Sequence, residues 1–372
     1  MNVLMIVSWY SPKNAETMIK GIFHYEQSIA LQKYCSTALY YPYDMELDCD
    51  FCSDKEKGLL VFRRKYKKNK FVKYIQCILD YKKIVKEFKP DIIHGHVAAA
   101  AGVIAILMGK IYRIPVVITE HNPIELTNFK NPLMKKAIQW VYHNSLSNIC
   151  VSQDFRNRIK EIYPREDFDV IYNGIVNPIS VEKIDTKFRR DNCINCCIVA
   201  SFYDEFIKGY QYLLPAIKNV RDRGIAILLH ICGGGVFFDK YFELAQELGI
   251  EDCCVFYGDC DRKKVYSIVS QMDFNISSSV LECSGVSVQE AMLLGKPLVV
   301  TKSGGANSLV NEKTAIVVDK ESEIAIADGI VNMVEHLEHF DTQYIIEYAT
   351  DNFEIDNVSQ RYYELYKQLL NS

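Results

Sequence analysis

Short β-branched runs alternate with amphipathic stretches along the chain, and this alternation occurs twice. A strand buried on both faces of a parallel sheet has this apolar, β-branched composition. Strands that alternate with helices of 10–15 residues form βαβ units, so each half predicts a parallel sheet covered by helices. The interval 177–192 between the halves contains a proline, many charges and no clear period. We therefore predict that it is a linker.

The periodicity predicts where these elements lie. In the first half, the predicted strands are Val3–Ser8, Ile92–His94, Val116–Thr119, Ile149–Val151 and Val170–Ile171. The predicted helices there are Ile22–Lys33, Phe71–Phe88, Ala98–Leu107, Met134–Asn144 and Phe155–Ile162. In the second half, the predicted strands are Cys196–Ala200, Ala226–Ile231, Cys253–Phe256, Phe274–Ile276 and Pro297–Val300. The predicted helices there are Tyr212–Arg221, Lys240–Leu248, Lys263–Ser270, Val286–Leu294 and Glu321–His336.

The chain of 372 residues is long enough for two domains, at about 100–200 residues each. We predict an N-terminal domain over residues 1–176 and a second domain over 193–354. The stretch 355–372 contains an amphipathic helix that could pack back on the first domain. Both domains are expected to be doubly wound α/β sheets facing one another, with the ligand in the cleft between them, because such sheets bind ligands outside the carboxyl ends of their strands.

Composition narrows the functional classes. A net charge of −4 argues against a strongly basic nucleic-acid-binding protein. Several of the 13 cysteines lie in apolar, strand-like runs, where a thiol behaves as a small buried hydrophobe. We therefore expect a reducing, cytoplasmic location. No apolar stretch approaches the ~20 residues that a membrane-spanning helix needs.

The most informative stretch of the sequence is 277–292. A predicted strand ends before it, and a predicted helix begins near Val286. The backbone N–H groups of Gly285, Val286 and Ser287 would then point out of a helix N-terminus, where the helix dipole favours an anion such as a diphosphate. Gly285 has no side chain to hinder the approach of a phosphate.

Two carboxylates flank this turn, with seven residues between Glu282 and Glu290. A carboxylate can accept hydrogen bonds from two neighbouring hydroxyls, so each suits a sugar diol. One would hold a donor sugar and the other a ribose. The alternative is a helix with one acidic residue in its first turns and an unrelated loop glutamate. The apolar strand before the turn and Gly295–Pro297 after it favour the first interpretation.

The segment resembles the Glu-x7-Glu motif of the retaining glycosyltransferases of family 4. Glu282, Gly285, Glu290, the following Ala-Met and the Gly-x-Pro all match the family pattern. The resemblance implies the two-domain GT-B fold and transfer of a sugar from a nucleoside diphosphate sugar, UDP- or GDP-linked, without a metal or other cofactor. It places the donor sugar on Glu282 and the ribose on Glu290. The acceptor implied is a saccharide or a lipid-linked molecule of bacterial surface polysaccharide synthesis.

Further matches run along the chain. Thr119–Asn122 resembles the family's Thr-x-His segment, whose histidine, here His121, lies beside the donor sugar. Lys208, before a glycine, resembles the lysine that neutralises the diphosphate. Asn173 lies in a segment like the family's Asn-Gly hinge, and Gly21 lies where the family has a glycine loop after the first strand. The resemblance also places the acceptor near Gly21 and the His94–His96 edge.

The sequence departs from the family at several positions. Cys283 and Ser284 replace the usual glycine and aromatic residue, Ser201 lies about where an arginine is usual, and Ser308 replaces a glutamate. These departures leave open an inactive subunit that binds a nucleotide sugar for another transferase. A phosphorylase or glucan synthase of the same fold is a further alternative, although the chain is short for either.

Two other features invite alternative interpretations. His94, His96 and His121 could be metal ligands, but histidines at strand ends are more often hydrogen-bonded structural residues, so no metal is expected. The segment Lys55–Lys89 contains thirteen basic and three acidic residues, interleaved with aromatic ones. It is predicted to be either a solvated helix face or a patch that docks on an anionic membrane surface. RNA binding is a more distant interpretation, because no nucleic-acid-binding motif accompanies the patch.

Overall fold

The computed structural model describes residues 1–13, 21–123, 131–181 and 184–371, and for residues 70 and 71 it describes the backbone alone. The chain divides into two compact units. One comprises Met1–Gly174 together with Ile355–Ser372, and the other comprises Ile175–Glu354. The predicted linker thus belongs to the second unit: the side chain of Gln271 accepts from the backbone N–H of Phe188, and that of Asn195 from the N–H of Arg190.

Strands of the first unit within the described residues are β1 (Asn2–Ile6), β2 (Ser36–Asp44), β3 (Phe51–Glu56), β4 (Leu59–Lys65), β5 (Ile92–His96), β6 (Val116–Glu120), β7 (Ser147–Cys150) and β8 (Asp169–Val170). Its helices up to the unit boundary are α1 (Ile22–Leu31), α2 (Lys70–Glu87), α3 (Val103–Tyr112), α4 (Pro132–Asn144) and α5 (Gln153–Ile162). A π-helix, Val97–Gly102, leads directly into α3. Side-chain caps begin several of these helices: Asn69 accepts from Val72 N, and Ser152 from Phe155 N.

The first sheet has the order β3-β4-β2-β1-β5-β6-β7-β8 among the described residues. All neighbouring pairs are parallel except β3 and β4, which are antiparallel. The strand order reverses at β1, which lies between β2 and β5. The carboxyl ends of β1, β5 and β6 therefore meet at one edge of the sheet, which is where a doubly wound sheet binds its ligand.

Residues 36–65 form strands that the sequence pattern did not predict. Arg63 and Arg64, which look like parts of a solvated basic stretch, are buried in β4. Arg63 pairs with Asp44 and Glu56, and Arg64 pairs with Asp80 of α2. The prediction of one basic helix face over Lys55–Lys89 is therefore wrong for its first third, because partner carboxylates distant in sequence neutralise the two arginines.

The second unit contains β9 (Ile194–Val199), β10 (Ile227–Cys232), β11 (Cys254–Phe256), β12 (Phe274–Ser277), β13 (Leu298–Thr301) and β14 (Ala315–Val318) within the described residues. Its α-helices are α6 (Tyr210–Asp222), α7 (Phe238–Glu247), α8 (Arg262–Val269), α9 (Val286–Leu293), α10 (Glu323–Glu335) and α11 (Thr342–Phe353). The strands pair in parallel in the order β11-β10-β9-β12-β13-β14. Both units are thus Rossmann-like α/β units, and all predicted strands and helices overlap observed ones.

The last helix, α12 (Ile355–Asn371), belongs to the first unit. Its buried side chains Val358, Tyr362 and Tyr366 pack in one apolar cluster with β1, β5 and β6. Burial of each such side chain contributes about 1.5–3 kcal/mol relative to exposure, which holds the helix against the sheet. The second unit has its own core around Phe202, Tyr210 and β9–β12.

Candidate functional site

Two loops meet at the topological switch point of the second sheet. β9 lies between β10 and β12, so the strand order reverses beside β9. Ligands of open α/β sheets bind outside the carboxyl ends of the strands at such a point. The loop after β9 carries Lys208, and the loop after β12 carries Glu282. The fold therefore brings together two of the residues that the sequence singles out.

Lys208 and Glu282 form an ion pair. Lys208 Nζ lies 2.6 Å from Glu282 Oε1, and Ser279 Oγ donates to the same oxygen at 2.9 Å. The two charged side chains are 26% and 19% exposed. Partly exposed pairs of this kind contribute only about 0–1 kcal/mol, so an incoming anion can compete for the lysine. The pair holds a cation and a carboxylate side by side before any ligand binds.

Gly209 fixes the backbone beside Lys208. Its φ of 73° is left-handed, and a Cβ added there would lie 1.9 Å from the carbonyl oxygen of Ser278. Ser278 Oγ in turn donates to the Lys208 carbonyl at 2.8 Å. Only glycine fits both the angle and the contact, so this turn ties the lysine loop directly to the end of β12.

The helix N-terminus predicted as an anion site is α9. Gly285 precedes it with a φ of 127°, a conformation that L side chains rarely adopt. Within the described part of the chain, no side chain caps α9, and no acceptor is found for the backbone N–H groups of Gly285, Val286 and Ser287. Val286 is exposed. These donors and the positive end of the helix dipole are available to a negatively charged group.

Glu290 lies on α9 beside a tyrosine that the sequence reasoning missed. The Tyr266 hydroxyl donates to Glu290 Oε1 at 2.7 Å, and Arg262 Nε is 4.0 Å from the same oxygen. Tyr266 is buried, whereas Glu290 is partly exposed. In the sequence, Tyr266 looks like an ordinary core residue of an amphipathic helix. No sequence pattern links its hydroxyl to Glu290, which lies 24 residues further along the chain.

The loop that carries Glu282 is hydrogen-bonded to the segment around Gly304 and Gly305. Glu282 N donates to the Ser303 carbonyl, and Gly305 N donates to the Glu282 carbonyl, both at 2.9 Å. A Cβ at Gly305 would lie 2.2 Å from the backbone of Cys283. The buried hydroxyls of Ser284 and Ser303 have no hydrogen-bond partner in the described structure. The sequence reasoning treated Ser284 only as a departure from the family pattern and did not single out Ser303.

At the carboxyl edge of the first sheet lies a cluster of neutral histidines. His96 ends β5, His121 follows β6, and His24 lies in the first turn of α1. His96 Nδ1 and His121 Nε2 are 3.0 Å apart, and their rings stack at 5.3 Å. Burial lowers the pKa of His121 to about 4, although a hydrogen bond with Asn173 opposes the shift. Burial also holds the pKa values of His24 and His96 well below the usual range.

The predicted residues of this edge have distinct surroundings. Asn173 contacts His121 through the hydrogen bond just described. Gly21 begins α1 with a φ of 73°, and a Cβ there would lie 2.7 Å from the Trp9 carbonyl oxygen. Trp9, which follows β1, lies against His121 with ring centroids 6.4 Å apart. Lys20, the residue before Gly21 in the predicted glycine turn, lies outside the described residues.

His94 is a structural residue. Its Nε2 is 2.7 Å from Thr119 Oγ1, and its Nδ1 accepts from or donates to the Tyr366 hydroxyl at 2.7 Å. Burial lowers its pKa to about 3. Among the residues that the structure describes, no group of three or more His, Cys, Asp or Glu side chains is arranged to hold a metal ion. In the same residues, no helix has the length and apolar character required to cross a membrane.

Comparison with known proteins finds two family profiles in this chain. "Glycosyltransferase Family 4" matches residues 49–176, and "Glycosyl transferases group 1" matches residues 188–350. The α-monoglucosyldiacylglycerol synthase of Streptococcus pneumoniae is 22% identical over 73% of this chain and 66% of its own length. The N-acetyl-α-D-glucosaminyl L-malate synthase of Bacillus anthracis is 23% identical over 75% of each chain.

The fold also matches solved structures. Anabaena HepE (Alr3699), crystallised in complex with UDP, superposes with a TM-score of 0.78 at 19% identity, covering 99% of this chain and 100% of its own. At this identity the likeness establishes the fold alone, and that fold contains the two Rossmann-like units described above. The relative from Streptococcus is matched over slightly less than two thirds of its length.

Proposed function

Because the chain belongs to the family 4 glycosyltransferases and has their GT-B fold, we propose that it transfers a sugar from a UDP- or GDP-sugar to an acceptor with retention of anomeric configuration. The observation that carries this proposal is the Lys208–Glu282 pair at the switch point of the second sheet. Beside it in sequence lies the uncapped N-terminus of α9.

The arrangement suits a leaving diphosphate. Negative charge grows on the diphosphate in the transition state, and its stabilisation is the main electrostatic task of such a site. The free N–H groups at Gly285–Ser287 and the Lys208 ammonium supply that stabilisation. A donor that draws Lys208 toward its phosphates releases Glu282, whose carboxylate then accepts from sugar hydroxyls. Ser201 stands where a second cation is usual, so α9 carries more of the charge.

Glu290 would hold the ribose. Its carboxylate is oriented by the Tyr266 hydroxyl, which donates to Oε1, and a carboxylate can accept hydrogen bonds from the two hydroxyls of a diol. The role of His121 beside the donor sugar rests on the resemblance, and its neutral imidazole at physiological pH suits a hydrogen bond with a neutral hydroxyl. The acceptor would bind the first unit near Gly21 and the His94–His96 edge. No metal takes part in the proposed reaction, and the leaving phosphate assists deprotonation of the acceptor.

A peripheral position on an anionic membrane is part of the proposal. Arg63 and Arg64 are buried, whereas helix α2 presents exposed side chains within this basic segment. Val72, Ile75 and Leu79 are 41%, 54% and 50% exposed and recur at helical spacing. Lys82, Lys83 and Lys86 follow on the same helix and are exposed. Exposed apolar side chains next to cations suit the interface of anionic lipids, at about 1 kcal/mol for each cation.

This membrane proposal suits a lipid-linked acceptor, and we assign the chain to the cytoplasmic face of a bacterial membrane, in synthesis of a surface polysaccharide or lipopolysaccharide. All thirteen cysteines are free thiols, as a reducing compartment requires. Sedimentation with vesicles of phosphatidylglycerol tests the surface. We expect binding that falls when Ile75 and Leu79 are both changed to Ser, while a vesicle of phosphatidylcholine alone binds neither protein. Equal sedimentation of both proteins with the anionic vesicles would remove α2 from the proposal.

The activity is tested with a panel of UDP-, GDP- and ADP-sugars in EDTA, following donor binding and slow donor hydrolysis. We expect one donor to be turned over in EDTA, and Glu290→Gln to raise its KM. Glu243→Gln, an exposed glutamate on α7, is the matched control and should behave as wild type. Donor binding without hydrolysis or transfer, even with candidate acceptors added, would favour the inactive partner subunit. A protein that binds none of the donors would contradict the assignment.

A further inference from the structure

Glu120 is a buried carboxylate that the proposed reaction leaves unused. It is the last residue of β6, directly before His121, and the residue is 4% exposed. Burial raises its pKa, although four hydrogen bonds to the carboxylate oppose the shift. Burial of a carboxylate costs free energy unless its lone pairs accept hydrogen bonds. The four donors to Glu120 compensate for that cost and fix the position of its carboxylate.

The four donors come from three separate segments. Glu120 Oε1 accepts from the backbone N–H groups of His121 and Asn122, both at 3.1 Å. Its Oε2 accepts from Ala98 N at 3.0 Å and from the Tyr142 hydroxyl of α4 at 2.9 Å. One side chain therefore ties the loop after β6 to the start of the π-helix after β5 and to α4.

The segment tied at Ala98 is strained. Val97 has a φ of 76°, a left-handed conformation that a β-branched residue rarely adopts. It directly follows His96 and is the first residue of the π-helix Val97–Gly102. Backbone strain of this kind persists only where surrounding contacts enforce it, and it is concentrated at functional sites. The Glu120–Ala98 hydrogen bond is one such contact, and Ser8 Oγ, which accepts from Ala101 N, is another.

The two segments that Glu120 joins carry the two histidines in contact. His96 precedes the strained Val97, and His121 directly follows Glu120. His96 Nδ1 and His121 Nε2 are 3.0 Å apart. We propose that Glu120 is a positioning residue that sets the orientation of His121, and through Val97 that of His96, toward the donor sugar. The inference rests on the proposed function, because the consequence for turnover requires that His121 contact the donor.

Kinetics separate positioning from folding. In Glu120→Gln the amide NH2 would face the Ala98 N–H or the two loop N–H groups, so one of the ties must break. We expect kcat to fall by about 10–100-fold while the donor KM stays within about twofold, because small misplacement of a reacting group mainly affects the transition state. Tyr142→Phe, which keeps the carboxylate, should give a smaller loss of the same kind.

A double-mutant cycle with His121→Ala gives the decisive outcome. If Glu120 acts through His121, adding Glu120→Gln to His121→Ala should lower kcat by less than about twofold further. Asp80→Asn, which removes a buried carboxylate partner of Arg64 distant from the histidines, controls for lost stability and should leave kcat unchanged. Equal losses from Glu120→Gln in both backgrounds would overturn the inference, as would an unchanged kcat in the single variant.

A readout independent of turnover distinguishes this failure from failure of the proposed function. In 15N-histidine-labelled protein, Glu120→Gln should shift the ring resonances of His121 and His96 and leave those of His230, in the second unit, in place. If the wild-type protein turns over no donor, the proposed function fails, and the NMR spectra still test the positioning. Unchanged ring resonances of His121 and His96 would show that Glu120 does not orient them.

Discussion

The carboxyl edges of the two sheets differ in charge. The edge of the second unit carries Lys208, Glu282 and Glu290, all partly exposed. The edge of the first unit carries neutral imidazoles, among them His96 and His121, whose pKa values burial has lowered. A diphosphate requires cations and N–H donors, whereas sugar hydroxyls bind to neutral polar groups. The charged edge of the second unit is therefore suited to a diphosphate, and the neutral edge of the first unit is suited to uncharged hydroxyls.

The two edges nevertheless share one structural feature, a left-handed glycine at the start of a helix. The first helix after the first strand of each unit begins at a glycine with a φ of 73°, which is Gly21 in one unit and Gly209 in the other. In each unit, the glycine approaches the backbone of a loop at the same edge, that of Trp9 or of Ser278. The scaffold is thus common to both edges, and the side chains placed on it make them chemically different.

The largest effect is expected from removing the cation of the second unit. Lys208→Met should lower kcat/KM by about 100–1,000-fold, as the loss of a preorganised group that stabilises transition-state charge does. Initial rates with the donor identified from the panel measure this change. Lys218→Met, which removes an exposed lysine paired with Asp222, should have no effect. Retention of more than a tenth of wild-type kcat/KM by Lys208→Met would break the assignment of the diphosphate to this edge.

The next largest effect is expected on stability, from substitution of the left-handed glycines at the two helix starts. Gly209→Ala should destabilise the second unit by about 3 kcal/mol. The alanine would have to adopt a left-handed conformation, and its Cβ would overlap the carbonyl oxygen of Ser278. Gly21→Ala should destabilise the first unit by somewhat less, since the corresponding distance is 2.7 Å instead of 1.9 Å. Hydrogen exchange of core amides in urea measures each unit separately.

Gly224→Ala isolates the conformational part of this effect. Gly224 has a φ of 85°, and nothing lies within 4 Å of an added Cβ. We expect a loss of only about 1 kcal/mol, the cost of the left-handed conformation for a residue with a side chain. If Gly224→Ala and Gly209→Ala destabilised the second unit equally, the close approach to Ser278 would have no energetic importance.

Acid should act more strongly on the first unit. His24, His94 and His96 are buried and neutral there, so the unfolded state binds more protons below its histidine pKa of about 6.5. Stability is therefore complete above that pH and is lost as pH falls toward 4. At pH 5, His94, whose pKa burial lowers to about 3, should by itself remove roughly 2 kcal/mol.

Hydrogen exchange at pH 7.5, 6.0 and 5.0 tests this difference between the units. The second unit should lose less, because it has one such buried histidine, His230, in its sheet. His24→Phe should reduce the acid sensitivity of the first unit, since both ring nitrogens of His24 lack partners in the described structure. Parallel losses in the two units would contradict the contrast drawn between their edges.

The smallest effect is expected at the support for Glu290. Tyr266→Phe should raise the donor KM by about 3–10-fold with little change in kcat, because it loosens a group that binds substrate and transition state alike. Tyr363→Phe, on a tyrosine of the first unit that stacks on Tyr34, is the matched control. A fall in kcat at unchanged KM would instead place Glu290 in the chemical step.

Much of the fold follows from sequence pattern. The β-branched strands of a parallel sheet, such as β6 and β13, are buried along their whole length and stand out as short apolar runs. The strands β2, β3 and β4 were not predicted, because β2 is rich in tyrosine and β4 carries Arg63 and Arg64. The carboxylates that make those arginines acceptable inside the protein are Asp44, Glu56 and Asp80, and no local pattern links them.

The candidate site divides in the same way. The sequence by itself singled out Glu282, Gly285 and Glu290 as candidates, because the turn that carries them is a contiguous segment at one helix N-terminus. Only the tertiary structure decided that Lys208 pairs with Glu282, that Tyr266 orients Glu290, and that Glu120 ties His121 to the segment after His96. Each of these contacts joins residues at least 22 positions apart, and their distances depend on how strands are ordered in a sheet. Local periodicity carries no information about that order.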